Sequence, residues 1–373
     1  MEFTEERLND LKDKLIRKML YGIECAKETD GIPYSVKDRK WTCREISWWT
    51  NGFWAAEMWQ MFLMSGDERF REEAIRAEEL MDNALRDTPN LHHDVGFMWL
   101  IQSGVRYALE GNKDSFDRTF LAANLLAGRY NPNGFIRAWN GDRYGWSIID
   151  TMMNLNLLYW ASRVTKDPRY QLIAMRHADT AMKYFVREDG SCNHIVIFDP
   201  ETGAYLDNPA GQGIASGSSW SRGQSWALHG FALAYRSTGK KEYLETSKKV
   251  ADYFISQLKD DPVPKCDFRQ PKDEPLYDDA AGAIAASGLI ELSEHLGDEG
   301  KIYKDAALRI LDAMDSRDAD YSETSPAILT KCTGSYHAND HHIAMNYADY
   351  FYIEAISKLM GSKMNFWAPD IAK

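Results

Sequence analysis

Two carboxylates stand where acid–base chemistry could be done. Asp94 lies in Leu91-His92-His93-Asp94-Val95-Gly96-Phe97, and Asp150 lies in Trp146-Ser147-Ile148-Ile149-Asp150-Thr151-Met152-Met153-Asn154. Asp150 follows an apolar pair and opens a Met-rich stretch, so its pocket is expected to be partly desolvated. Burial raises a carboxyl pKa and holds its proton near neutrality, and a second carboxylate nearby raises it further. A general acid needs that preparation. The competing reading makes both residues helix N-caps, a position that Asp favours whatever its function.

A cation and several aromatics could serve the same site. Arg222 and Trp226, in Ser219-Trp220-Ser221-Arg222-Gly223-Gln224-Ser225-Trp226, are spaced i, i+4 and share a helix face. A guanidinium beside an indole suits a carboxylated sugar, with an ion pair on one side and stacking on the other. The alternative is a structural arginine paired with an internal carboxylate. In Trp48-Trp49-Thr50-Asn51-Gly52-Phe53-Trp54, Trp49 is the better ligand candidate and Trp54 the better core residue. The histidines His92, His93, His194, His341 and His342 follow no HExxH or Cys/His spacing, and neighbours at a helix start are expected to point different ways. No metal and no cofactor is expected, since phosphate-loop, dinucleotide and nucleophile-elbow motifs are also missing.

Net charge of 44 minus 56, or −12, speaks against nucleic acid or an anionic membrane as partner. It leaves room for a small anionic substrate, which needs only a local cation or two. Five scattered cysteines show no framework spacing, residues 1–10 hold no apolar signal core, and no long apolar run is present. A cytoplasmic chain with reduced thiols is expected, and composition leaves its oligomeric state open.

The elements that must position these residues are helices. Apolar residues recur at helical spacing almost throughout, beginning with Leu8, Leu11, Leu15, Met19 and Ile23 behind a Thr4 N-cap. A turn signature of Gly or Thr, polar residues and then an aromatic recurs at Gly66 to Phe70, Gly111 to Phe116, Thr165 to Tyr170, Gly239 to Tyr243 and Gly297 to Tyr303. Five such hairpins, plus a first helix near residues 5–25 paired with a last near 345–360, predict an all-α, closed (α/α)6 toroid in a single domain over 1–373. Counting back from the turn aromatics, Trp49, Asp94, Asp150, Arg222 and Asp279 lie 20 to 24 residues earlier. At about 1.5 Å per residue that places them at one height, roughly 30 Å from the turns, near helix N-termini. Between residues 187 and 219 the pattern breaks: Asn193 to Phe198 reads as a strand of a short β-hairpin, 199–203 as a turn, and 211–219 as a Gly/Ser-rich loop over the mouth.

Taken in order, these blocks resemble the unsaturated glucuronyl hydrolases of glycoside hydrolase family 88. The resemblance runs from about Trp41 to Tyr352. It rests on Trp-Thr-x-Gly-Phe-Trp ending at Trp54, His-His-Asp-x-Gly-Phe around Asp94, Ile-Ile-Asp-x-x-x-Asn around Asp150, and Phe-Asp-Pro-x-x-Gly after His194. Gln-Gly at Gln212, Ser-x-Trp-x-Arg-Gly-Gln-x-Trp ending at Trp226, Asp278 before an Ala-rich helix, Gly-Ser-Tyr-His at His337 and Asp-Tyr-Phe-Tyr at Tyr352 continue it. The family implies a metal-free (α/α)6 barrel that removes the 4,5-unsaturated uronic acid left at the non-reducing end of lyase-cut polysaccharides. On that resemblance Asp150 protonates C4 and activates the water that adds at C5, and an ionised Asp94 supports it. Trp49, His194, Gln212, Arg222 and Trp226 bind the unsaturated ring, and Trp139, Ser218 and His337 complete the expected binding set.

The sequence departs from the family pattern in places. Gly211 stands where many relatives have His, Asn51 where some have Asp, and the 338–342 loop lacks a Ser/Lys pattern linked with sulfate. His341 and His342 could substitute in part. The expected substrate is a lyase-derived glycosaminoglycan oligosaccharide, chondroitin- or hyaluronan-type disaccharides above all. Alternatives are rhamnogalacturonyl, ulvan or heparan fragments, and in another class a non-catalytic sugar-binding toroid or a sugar epimerase.

Overall fold

In the computed structural model, which describes residues 3–273 and 275–370, three of the five predicted turns carry the expected capping side chain, whereas Lys240 makes no side-chain cap and Gly297–Gly300 forms a 3-10 turn before the last outer helix. Gly66, Gly111 and Gly239 take left-handed backbone at the helix ends, where a glycine carries no Cβ penalty. Lys166 adopts the same conformation without that freedom. Asp67, Asn112 and Asp167 then accept the first free amides of the following helices, from Arg69, Ser115 and Arg169. The turn aromatics Phe70, Tyr170, Tyr243 and Tyr303 are buried, whereas Phe116 is half-buried against Tyr107 and Trp160.

Six helices form an inner ring: Asn51–Ser65, 95–110, Thr151–Thr165, Ser221–Thr238, Asp279–Leu296 and Asn346–Leu359. Each touches the next, and the last closes on the first. Six outer helices cover them: Glu5–Ala26, Glu68–Leu80, Lys113–Ala127, Pro168–Tyr184, Lys241–Gln257 and Lys301–Arg317. This is the expected all-α toroid. The first helix does not pair with the last alone; it lies against both Asn51–Ser65 and Asn346–Leu359. The terminal residues 1–2 and 371–373 of the expected domain, and residue 274, lie outside the described residues.

Burial follows from the two layers. Every residue of the inner stretch 279–293 is buried, while the first outer helix buries a stripe containing Leu11, Leu15, Met19 and Ile23. A helix apolar on all sides belongs inside, and an amphipathic one belongs at the edge. No helix among the described residues is long and apolar enough to cross a membrane.

The loops hold more strand than the sequence suggested. Ile195–Phe198 is the centre of a three-stranded sheet, flanked by Tyr205–Asp207 and by Trp146–Ile148. Hairpins Pro33–Lys37/Lys40–Cys43 and Tyr130–Asn131/Phe135–Ile136 were not anticipated. Strands of two to five residues carry too little alternation to stand out from a loop.

Inner helices approach closely at glycines. A Cβ on Gly52 would sit 2.1 Å from the Phe97 carbonyl oxygen. Gly52→Ala should therefore lower the unfolding free energy by an overpacking cost of about 1–3 kcal/mol or more, read as a lower urea midpoint. Gly111→Ala faces open space and should cost only the left-handed backbone term, about 1–2 kcal/mol. Equal, small shifts in both variants would contradict the close packing of residues 51–65 on 95–110.

Candidate active site

Asp94 and Asp150 both stand at the cap position of an inner helix, yet neither side chain caps it. Asn154, one turn into the Thr151–Thr165 helix, does the work for Asp94. Its Oδ1 accepts the Phe97 amide at 2.9 Å, while its Nδ2 donates to Asp94 Oδ1 at 2.9 Å. Asp94 Oδ2 is thus turned toward His92 Nδ1 (3.4 Å) and His93 Nε2 (3.3 Å), and His93 Nδ1 meets Thr151 Oγ1 at 2.9 Å. The two rings stack and converge on Asp94, correcting the expectation that they diverge. They form the one group among the described residues whose atoms could hold a metal ion. Desolvation lowers His92 to about 4 and holds His93 well below the usual imidazole range, so both are neutral.

Asp150 is delivered by the sheet. Trp146–Ile148 pairs with Ile195–Phe198, and the Ile149 amide bonds the His194 carbonyl at 3.0 Å. That register brings Asp150 Oδ2 to 3.8 Å from His194 Nε2. His194 Nδ1 accepts the Gln212 amide at 2.9 Å, which assigns the ring proton to Nε2, facing the carboxyl. Both facing atoms are buried without a hydrogen-bond partner. Desolvation pushes the Asp150 carboxyl up to about 7 against the opposing charge of Arg222, and pushes His194 down to about 3. Asp94 is raised well above the carboxylate range, first by desolvation and then by Asp150. Asn154 joins the two positions, donating to Asp94 Oδ1 and to the Asp150 carbonyl, and the raised Asp94 does not match the ionised partner that was expected.

Arg222 follows the structural alternative. It donates to Asp278 Oδ2 (2.7 Å), the Thr333 carbonyl (2.9 Å) and the Gly334 carbonyl (2.6 Å). Its guanidinium lies over Trp220 and Tyr347, not beside Trp226 as expected from spacing. Trp226 is fully buried against Phe97 and Phe351 with its Nε1 unpartnered, so it forms the floor. Trp49 is half-buried on Phe97 and Tyr347, and Trp54 is core, donating to Glu73. Asp279 does not join the mouth; it accepts the Lys331 amide, and its neighbour Asp278 meets Arg222.

The loops close over this floor. Gln212 donates to the Gly334 carbonyl and accepts the Tyr336 amide, and exposed His337 reaches the Ile214 carbonyl at 2.7 Å. Ser218 lines a small cavity with His194 and Trp220. Trp139 stands on the other side, edge-on to His93 at 6.4 Å. Asn51 is buried and ties the Glu45 and Ile46 carbonyls. His341 bonds its own loop, and His342 Nε2 accepts the Tyr277 amide, so both are occupied locally. A Cβ on Gly211 would collide with His194, which gives that departure a local reason. A cavity of about 780 Å³ on the opposite rim, lined by Leu63, Arg163, Arg236 and Met364, contains none of these groups.

Trp220 and Tyr347 were not singled out from sequence as site residues; His93 was weighed only as a metal ligand, and Asn154 only as the last residue of the Ile-Ile-Asp-x-x-x-Asn block. Asn154 could have been singled out: it lies four residues after Asp150, hence on its helix face.

A ring of helices with a buried carboxyl pair at its mouth is the architecture of a sugar hydrolase, and comparison with known proteins places the chain in the glycoside hydrolases. The model of Glycosyl Hydrolase Family 88 matches residues 18–261. An unsaturated glucuronyl hydrolase of Bacillus sp. (strain GL1) is 33% identical over 91% of this chain and 93% of its own. An unsaturated chondroitin disaccharide hydrolase of Streptococcus pyogenes serotype M1 is 29% identical over 98% and 94%. The crystal structure of the unsaturated glucuronyl hydrolase of Bacillus sp. GL1 superposes with a TM-score of 0.91 at 29% identity, over 96% of this chain and 99% of that one. The chain belongs to glycosyl hydrolase family 88.

Because the folded pKa of Asp150 is raised, the stability linked to its proton is present below about 4 and lost as pH rises through about 7. Asp150→Asn should then be more stable than wild type above neutrality, by up to about 4 kcal/mol, with the gap closing toward acid. Urea unfolding at both ends of that range checks it; equal wild-type and variant stability at alkaline pH would contradict the buried, protonated carboxyl.

Proposed function

We propose that this glycoside hydrolase removes the 4,5-unsaturated uronic acid from the non-reducing end of lyase-generated glycosaminoglycan oligosaccharides, with Asp150 as general acid and base. One observation carries the assignment: a carboxyl uncapped, desolvated and held up to about 7, with an oxygen 3.8 Å from a neutral His194. A vinyl ether is a weak base, so its protonation needs an acid that still holds its proton near neutrality and is held in place.

Asp150 gives its proton to C4, and positive charge develops at C5 and the ring oxygen. The carboxylate left on Asp150 faces that charge in a site poor in water, where the attraction is strong. Water adds at C5 and returns a proton to Asp150. The hemiketal opens, the C1 hemiacetal collapses and the saturated sugar leaves. Asp94, raised by burial, keeps its own proton and adds no second anion beside the forming carboxylate. Arg222, committed to Asp278 and two carbonyls, acts on the anionic ring by its field rather than by a free fork. Trp49, Trp139 and Gln212 border the space left for the sugars. Attack at C5 makes the carboxylate-spacing rule for retaining and inverting enzymes inapplicable.

Chondroitin- and hyaluronan-type disaccharides are the proposed substrates, and the name of the Streptococcus pyogenes relative supports the first. The whole chain is taken as one catalytic domain. All five cysteines are free, which fits a reducing, cytoplasmic setting.

Wild type should bleach the ultraviolet band of an unsaturated chondroitin disaccharide, with kcat/KM falling as pH rises through about 7. Asp150→Asn should fold and lose at least about 100-fold in rate. Undiminished bleaching by that variant would remove Asp150 from the mechanism.

A further inference from the structure

Arg129 is a half-buried cation that the proposed reaction does not use. It follows the outer helix Lys113–Ala127, and all five of its N–H groups are spent on neutral acceptors. Nε donates to the Arg137 carbonyl at 2.8 Å, and Nη2 to the Ala138 and Trp139 carbonyls at 3.0 and 2.9 Å. Nη1 donates to Asn140 Oδ1 at 2.8 Å and, more weakly, to the Leu91 carbonyl at 3.5 Å. No carboxylate among the described residues makes an ion pair with it. An arginine fork can join several oxygens that a lysine cannot reach at once.

What the fork joins is specific. The Leu91 carbonyl begins the segment His92-His93-Asp94, and residues 137–140 carry Trp139. Asn140 strengthens the stitch by donating to the Pro89 and Leu91 carbonyls, and the Ala138 carbonyl accepts both Arg129 and the His93 amide. The acid-bearing segment and the aromatic wall opposite the 211–219 loop therefore share one clamp.

Its charge also reaches the site. Asp94 is in contact with His92 and His93 on its own segment and feels the charges of Asp150, at the start of the next inner helix, and of Arg129; His177 and His194 act on His93, and Arg137 on Arg129. Among these only Arg129 opposes the rise of Asp94 by charge.

We propose that Arg129 is a positioning residue for the hydrolase: its fork fixes the His92–Asp94 segment against the Trp139 loop, and its uncompensated charge sets the field at Asp94. The inference rests on the proposed reaction for its kinetic consequences, but not for the field itself.

Arg129→Lys keeps the charge and loses the fork; Arg129→Gln loses both. Each should lower kcat by about 10- to 100-fold, as expected when reacting groups shift by an ångström or less. The two separate in pH. Removing the cation lets Asp94 hold its proton to higher pH, so the Asp94 titration moves up in Arg129→Gln and stays in Arg129→Lys, while the alkaline limb of kcat/KM, set by Asp150, stays in both. A substrate-free reading accompanies this: the 13Cγ titration of Asp94, assigned by its loss in Asp94→Asn, should move up in the Gln variant only. Wild-type kcat in a folded Arg129→Lys, or an unmoved Asp94 titration in a folded Arg129→Gln, would overturn the proposal. Should the Gln variant fail to fold, Arg129→Lys alone decides: lost kcat with an unmoved limb supports the clamp, and wild-type kcat ends it. A wild type inert toward unsaturated disaccharides would instead sink the hydrolase reading, while the Asp94 titration still tests the field.

Discussion

Two carboxyl groups deprived of water, and of the helix amides that would normally take them, are the constraint around which the mouth of the barrel is arranged. A cap aspartate ordinarily accepts an amide of its own helix and becomes a stronger acid. Here Asn154 takes that amide and leaves Asp94 free, and Asp150 makes no cap bond at all. Desolvation then prevails over the helix N-termini and over Arg222, both of which favour the ionised form.

Holding such groups is costly, so the surroundings are over-determined. The Trp146–Ile148 strand, a feature with no strong signature of its own, fixes Asp150 to His194 through the Ile149 amide. The Gln212 amide selects the His194 tautomer. Arg222 is satisfied by Asp278 and two loop carbonyls, which makes it a buried charge with partners rather than a waiting ligand. The 211–219 and 334–337 loops meet through Gln212 and His337, and Arg129 holds the opposite wall. Rigid inner helices supply the height; short loop contacts supply the aim.

Most of the barrel was legible because helix turns repeat a chemistry that sequence displays: a left-handed residue, a capping side chain, an aromatic that packs back. The common height of Trp49, Asp94, Asp150 and Arg222 followed from helix rise alone. Spacing could not say which way a side chain turns. Arg222 and Trp226 are i, i+4, yet Trp220 from the preceding loop is the indole that the guanidinium covers. Asp278 and Asp279 are adjacent, and only the first faces Arg222. His92 and His93 converge because the chain is not yet helical there. The raised Asp94 carboxyl was unreadable for a related reason: it depends on burial and on Asp150 at the next inner helix, which prevail over the bond that Asn154 donates.

Infrared difference spectroscopy on the substrate-free protein, stepped from about pH 5 to about pH 9 across the range where a raised carboxyl would titrate, examines the constraint without any assumption about substrate. The carbonyl-stretch loss across neutrality in wild type should be smaller by one carboxyl in Asp150→Asn, with the bands of Asp349 and Asp279, pushed up to about 7 and about 8, remaining. A wild-type spectrum with no such loss, or one identical in Asp150→Asn, would mean that Asp150 is an ordinary ionised carboxylate and that the acid at the mouth of this barrel is not there.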